Sequence, residues 1–323
     1  SIEIKSGLNN ESVRTIDINK VYDINCKEQR YDSENSIAYI SNELHLYNLR
    51  YPKYNVKFAN DITLNSFKVW DPIPQWNKTL YGDSFAIKNQ MVLTVPYSNR
   101  LLYGFVQTNN GIIKGLKIED FIMDDVSSDT SGEMRFGAIA AINNGEISGC
   151  SASGLIKVDR KSGVVGGIAG INNKSGKINL CAFGGYKKDN NILFNSGDVG
   201  GIVGRNMGGQ ITLNGCANTY VGCYVNKCGN SFGCIVGYAS GGTIQGCFAK
   251  QCTMDIRNTT LVSGYYPKMG FIVGHMVNQG SMERCLVIDC TYYHGRLTVG
   301  YRKYCYNGKN GCYGLVQNST VKD

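Results

Sequence analysis

Proline is scarce in this chain, and long apolar runs are missing. Five prolines stand against forty glycines in 323 residues. No apolar stretch approaches the ~18 residues that a membrane-crossing helix needs, so no membrane insertion by this segment is expected. Charged residues make up only 18%, and the glycines follow no Gly-x-y period, which excludes collagen. The net charge of +8 is scattered, apart from short clusters such as Lys187-Lys188 and Arg302-Lys303. No basic stripe is interleaved with aromatics, so a nucleic-acid partner is not expected. Cys-x2-Cys pairs, Cys-x-x-Cys-His and His-Glu-x-x-His are all missing. The sequence therefore gives no reason to expect a metal site or a cofactor. Only three histidines occur, His45, His275 and His294, and no catalytic residue is assigned from them.

What the chain has is a repeat. Short quartets recur: Gly104-Phe105-Val106-Gln107, Ala138-Ile139-Ala140-Ala141, Gly167-Ile168-Ala169-Gly170, Gly201-Ile202-Val203-Gly204, Cys234-Ile235-Val236-Gly237, Phe271-Ile272-Val273-Gly274 and Gly314-Leu315-Val316-Gln317. A varying period around a fixed quartet places the insertions in loops. Each of the first six quartets is followed by a glycine turn and a second apolar residue. Examples are Asn109-Asn110-Gly111 with Ile113, and Asn143-Asn144-Gly145 with Ile147. Asn-Gly pairs suggest tight turns with positive φ. Five residues after that glycine come Leu116, Cys150, Cys181, Cys247 and Cys285. The fourth row reads as carrying a two-residue insertion that delivers Cys216.

Apolar residues fall at every second position in pieces of three to seven residues, which is strand periodicity. One such unit cannot bury its apolar face alone. Stacking units at ~4.8 Å pairs every strand with the coils above and below. The expected fold is all-β, a right-handed parallel β-helix, with Ile168, Ile202 and Ile235 directly over one another. Residues 1–34 read as an N-terminal extension. Residues 35–323 read as the helix, with irregular Tyr- and Cys-rich coils from about 292.

The quartets and the Gly-x-Ile turns resemble the GLUG-motif repeats of bacterial surface and adhesin-like proteins, which also occur in N-terminal regions of immunoglobulin A peptidases. "ISNELHLYNL" (40–49) resembles that family's short helix before the first coils, and "VKFANDITLN" (56–65) and "WDPIPQWNKTLYGD" (70–83) its early coils. The resemblance covers roughly residues 35–323. It implies a β-helix displayed at the cell surface or secreted. The 13 cysteines depart from the family's habit.

These cysteines admit two readings, buried core thiols or disulfides between coils. Cys150, Cys181, Cys247 and Cys285 form one set. Cys252 and Cys290 become stack neighbours if a corner separates each from the cysteine five residues before it. Cys305 and Cys312 could bridge near the end. The densest acidic stretch, Glu119, Asp120, Asp124, Asp125 and Asp129, reads as a solvated loop. Tyr265, Tyr266, Tyr292, Tyr293, Tyr301 and Tyr304 are candidates for stacking on sugars or docking a protein, or are ordinary strand residues. The expected function is a non-catalytic structural or adhesive module binding glycan, protein or copies of itself. A polysaccharide lyase or glycosidase on the same scaffold, and a filament subunit, are the alternatives.

Overall fold

The computed structural model describes residues 2–5, 12–16, 30–50, 53–66, 68–93, 101–125, 132–158, 163–184, 190–194, 197–223, 231–256, 268–293 and 313–322. The chain winds as a parallel β-helix. One coil shows the pattern. Gly163–Gly166 lies in a first sheet, Ala169–Asn172 in a second, Lys177–Asn179 in a third, and Ala182–Gly184 with Asn190–Phe194 in a fourth. Each strand pairs in parallel with its counterparts one coil before and one coil after. Two pairings are antiparallel among the described strands: Ile2–Lys5 with Ser12–Ile16, and Tyr31–Asp32 with Ile37–Ile40.

Ile37–Ile40 then leads the third sheet, beside Asn55–Phe58. A helix over Glu43–Tyr47 follows, with Asn42 as its cap and its Oδ1 accepting from His45 N at 2.9 Å. The helix and the turn after it bury Leu46 and Leu49 in the same apolar core as Phe58 and Trp76.

Alternation decides what faces inward. Ile113, Ile147, Ile178, Ile211, Ile244 and Met282 are the middle residues of successive third-sheet strands, and all are buried. At the corner between the first and second sheets, Ile168 N donates to Ile202 O at 3.0 Å, and Ile202 N to Ile235 O at 3.1 Å. All three side chains have no solvent exposure. The expected column of isoleucines is therefore in place. Burying each contributes about 1.5–3 kcal/mol.

The seventh quartet does not continue that column. Tyr313 pairs with Val273, and Val316 with Met276. Val316 therefore lies three positions beyond the place its quartet suggests. Tyr313–Val316 and Thr320–Lys322 extend the second and third sheets past the coil that ends near residue 293.

The turn from the third to the fourth sheet uses one left-handed residue per coil: Gly115, Gly149, Leu180, Leu213, Gly246 and Arg284, with φ between 53° and 65°. Their N–H groups point along the stack. Leu180 N, for example, donates to Thr212 O at 3.1 Å. The residue after this corner carries a side-chain donor in all but the first of these coils. Cys150 donates to Ile113 O (3.6 Å) and Cys181 to Ile147 O (3.6 Å). Asn214 then donates to Ile178 O (2.9 Å), before Cys247 donates to Ile211 O (3.9 Å). The fourth row thus has no insertion. Asn214 occupies the cysteine place, and Cys216 lies two residues on, opposite Phe183 and Ala249.

Asparagine turns follow a different logic from the one the sequence suggests. Gly111 and Gly145 do not have positive φ. Glycine is required there because the preceding coil is too close. A Cβ on Gly145 would lie 2.0 Å from Gly111 O.

Candidate functional site

The corner between the second and third sheets carries two parallel columns of asparagine. The inner column is sealed from solvent. Asn109 Nδ2 donates to Asn143 Oδ1 (2.8 Å), Asn143 to Asn172 (2.8 Å) and Asn172 to Asn206 (2.9 Å). Their remaining N–H groups reach turn carbonyls such as Gly209 O, 3.0 Å from Asn206. A buried amide column of this kind satisfies groups that would otherwise cost several kcal/mol. It ends where Ala239 replaces asparagine beside Asn206.

The outer column runs alongside and donates in the opposite direction. Asn110 Nδ2 donates to Asn77 Oδ1 (3.0 Å), Asn144 to Asn110 (2.7 Å) and Asn173 to Asn144 (2.7 Å). A polar groove of about 420 Å³ lies beside it, with Gly111 and Gly145 in its lining. Asn77, Asn110, Ser175, Lys78, Glu146 and Lys177 are among the residues that line it. The groove crosses successive coils, so its polar groups repeat every ~4.8 Å. Such a surface can hold an extended polar chain by many hydrogen bonds.

Elsewhere, a few ionisable groups are paired with each other. Arg205 bridges Glu133 (Nη1, 3.0 Å) and Asp198 (Nη2, 2.7 Å). Burial pushes the Asp198 carboxyl up, and the Arg205 guanidinium opposes that shift. The acidic stretch is not a loop over its described part. Residues Lys117–Asp125 form a nine-residue strand of the fourth sheet, kinked at Asp120 where φ is 56°. Asp124 faces Lys157 at 3.6 Å, and Asp125 is buried. Asp129 lies outside the described residues. His275 sits within the strand Val273–Val277. It contacts Gln317 (3.2 Å) and the edge of Tyr238, and burial pushes its pKa down. His45 meets Ser41 Oγ at 3.1 Å.

Cys150, Cys181, Cys247 and Cys252 are buried free thiols, and Cys285 and Cys290 are half-buried free thiols. Gln251 and Asp289 have left-handed φ and form a second corner, which brings Cys252 N to 3.4 Å from Cys290 Sγ. Cys216 and Cys252 bring their sulfurs within 3.8 Å. Burial pushes the Cys181 and Cys234 thiols well up. Cys223 is disulfide-bonded. Cys305 and Cys312 lie outside the described residues. So do Tyr265, Tyr266, Tyr301 and Tyr304. Tyr292 is half-buried with its hydroxyl on Met269 Sδ, and Tyr293 is exposed, both on the fourth sheet. The structure brings none of the described tyrosine candidates to the groove.

The asparagine columns escape a reading based on single motifs. Their signal is positional. Asn109, Asn143, Asn172 and Asn206 each stand five residues after the start of a quartet. Among the described residues, no group of three or more His, Cys, Asp or Glu side chains is placed to hold a metal ion.

No family model and no curated protein matches this chain. A solved structure does. It is a "putative immunoglobulin A1 protease" from Bacteroides ovatus, with a TM-score of 0.54 and 17% identity over 88% of this chain and 84% of that one. What the two share is the fold. Both carry a β-helix architecture across most of their length.

Proposed function

We propose that this chain is a non-catalytic, surface-displayed β-helix module that holds a glycan chain in the groove beside the outer asparagine column. The observation that carries this reading is the run of side-chain amides across coils from Asn77 to Asn173, of which Asn77 and Asn110 line the groove together with Ser175. A coil step is close to the length of one pyranose unit in an extended chain. Successive sugars would therefore meet similar hydrogen-bonding groups.

Other features support the reading. The Glu133–Arg205–Asp198 cluster is locked in ion pairs, so these carboxylates are poorly free for acid–base work on a sugar. The resemblance to GLUG repeats and the fold neighbour, named for action on immunoglobulin A1, fit an extracellular setting. The disulfide at Cys223 suits an oxidising exterior. Burial of Cys150, Cys181, Cys216, Cys234, Cys247 and Cys252 keeps their thiols away from oxidants there.

The test is a glycan array paired with a reducing-sugar assay on the ligands found. The expected result is binding without product release, weakened by Asn110→Ala with Asn144→Ala and unchanged by Tyr293→Ala. Release of shortened sugars would overturn the non-catalytic part. Binding that ignores the asparagine pair would move the site elsewhere.

A further inference from the structure

The groove has a charge as well as a shape, and two of its cations have no assigned role. Lys78 and Lys177 both line it and are exposed. Neither has an ion-pair partner among the described residues. The one carboxylate in the lining, Glu146, is already engaged: it faces Lys114 at 3.6 Å and accepts from Ser148 Oγ at 3.0 Å. Lys78 precedes Thr79, which is in register with Ile112, then Glu146, then Lys177. Three coil steps separate the two lysines, roughly 14 Å along the groove. Asn77 and Asn110 of the outer column and Ser175 line the same groove.

We infer that the groove takes an acidic glycan, an extended sugar chain bearing carboxylate or sulfate groups at intervals. This rests on the reading of the groove as a glycan site and adds the ligand's charge. Lysine is suited to the task. Its ammonium is a compact charge on a flexible stem, able to meet an anionic group without fixed two-point geometry. The amides between the two lysines bind the neutral hydroxyls. The lysines select chains whose acidic groups recur over a few sugar units. A neutral chain of the same length leaves both ammonium groups in water and gains nothing from them.

The experiment uses the full chain and three probes: an oligogalacturonate, its fully methyl-esterified form and a sulfated oligosaccharide of similar length. Binding is measured by calorimetry at low and high salt. The partners are the native sequence, the Lys78→Gln/Lys177→Gln variant and the Asn110→Ala/Asn144→Ala variant. The expected result is binding of one or both charged probes, five- to tenfold weaker for the ester and for the lysine variant, and weakened by salt. Which charged probe wins tells carboxylate from sulfate. Equal affinity for acid and ester, with no effect of the lysine variant, would overturn the acidic inference. If the asparagine variant still weakened binding in that case, the glycan reading would stand. No binding of any probe would remove both.

Discussion

Asn143 donates its side-chain amide to Asn172 across 2.8 Å, from one coil to the next, with neither residue exposed to solvent. Asn143 also accepts from Asn109. Replacing it by alanine leaves a donor on one side and an acceptor on the other without partners. Asn143→Ala is expected to cost about 2–4 kcal/mol. Asn144→Ala, one residue away in the solvated outer column, is expected to cost less than about 1 kcal/mol. Urea unfolding of both variants measures the difference.

Gly145 and Gly149 lie four residues apart and need glycine for different reasons. A Cβ on Gly145 strikes the carbonyl of Gly111 at 2.0 Å, so Gly145→Ala must separate two coils. A Cβ on Gly149 meets nothing closer than 3.9 Å, but φ is 61°. Gly149→Ala should therefore cost only the left-handed strain, about 1–2 kcal/mol. Gly145→Ala should cost clearly more and disturb the groove. Thermal unfolding together with binding of the groove ligand separates the two.

The corner donors make a third comparison. Asn214 stands where neighbouring coils have cysteine, donating to Ile178 O (2.9 Å) and accepting from Cys181 N (2.8 Å). Asn214→Leu removes both bonds and should cost about 2–4 kcal/mol. Asn214→Cys restores a weak donor and should recover part of that loss. Equal destabilisation by the two substitutions would show that the column needs an amide.

Thiol chemistry should follow burial. Cys285 and Cys290 are partly accessible, whereas Cys150, Cys181, Cys216, Cys234, Cys247 and Cys252 are closed off. Titration with an aromatic disulfide reagent should label Cys285 first in the native protein, since the hydrogen bond from Cys247 favours its thiolate, with Cys290 slower because its hydrogen bond with Cys252 and burial push its thiol up. The buried six should react only on unfolding, as peptide mapping by mass spectrometry would show. Early labelling of Cys181 would mean that its corner opens readily.

Much of the ladder was legible because one face of each strand is apolar and the other is not. Ile168, Ile202 and Ile235 could be stacked from spacing alone. The seventh quartet misleads for the same reason. Gly314-Leu315-Val316-Gln317 looks like Gly104-Phe105-Val106-Gln107, yet its register is set by Tyr313 meeting Val273. A four-residue pattern holds too little information to fix register after a long insertion. Cys216 misleads for a different reason, since it lies two residues past the corner place that the other cysteines hold. The corner needs a hydrogen-bond donor, which Asn214 supplies as well as a thiol does. The groove was not legible, since it is assembled from residues on coils some thirty positions apart.

Coil register is the foundation of both asparagine columns and of the groove. Ser148 and Asn179 are parallel partners on the outer face of the third sheet, and Thr212 lies one further coil along. Partners one coil apart are separated by ~4.8 Å, within disulfide reach, and residues two coils apart by about 10 Å, outside it. Under mild oxidation, Ser148→Cys with Asn179→Cys should form a crosslink detectable by peptide mapping, and Ser148→Cys with Thr212→Cys should not. A crosslink in the second pair, or none in the first, would contradict the stacking on which the groove depends.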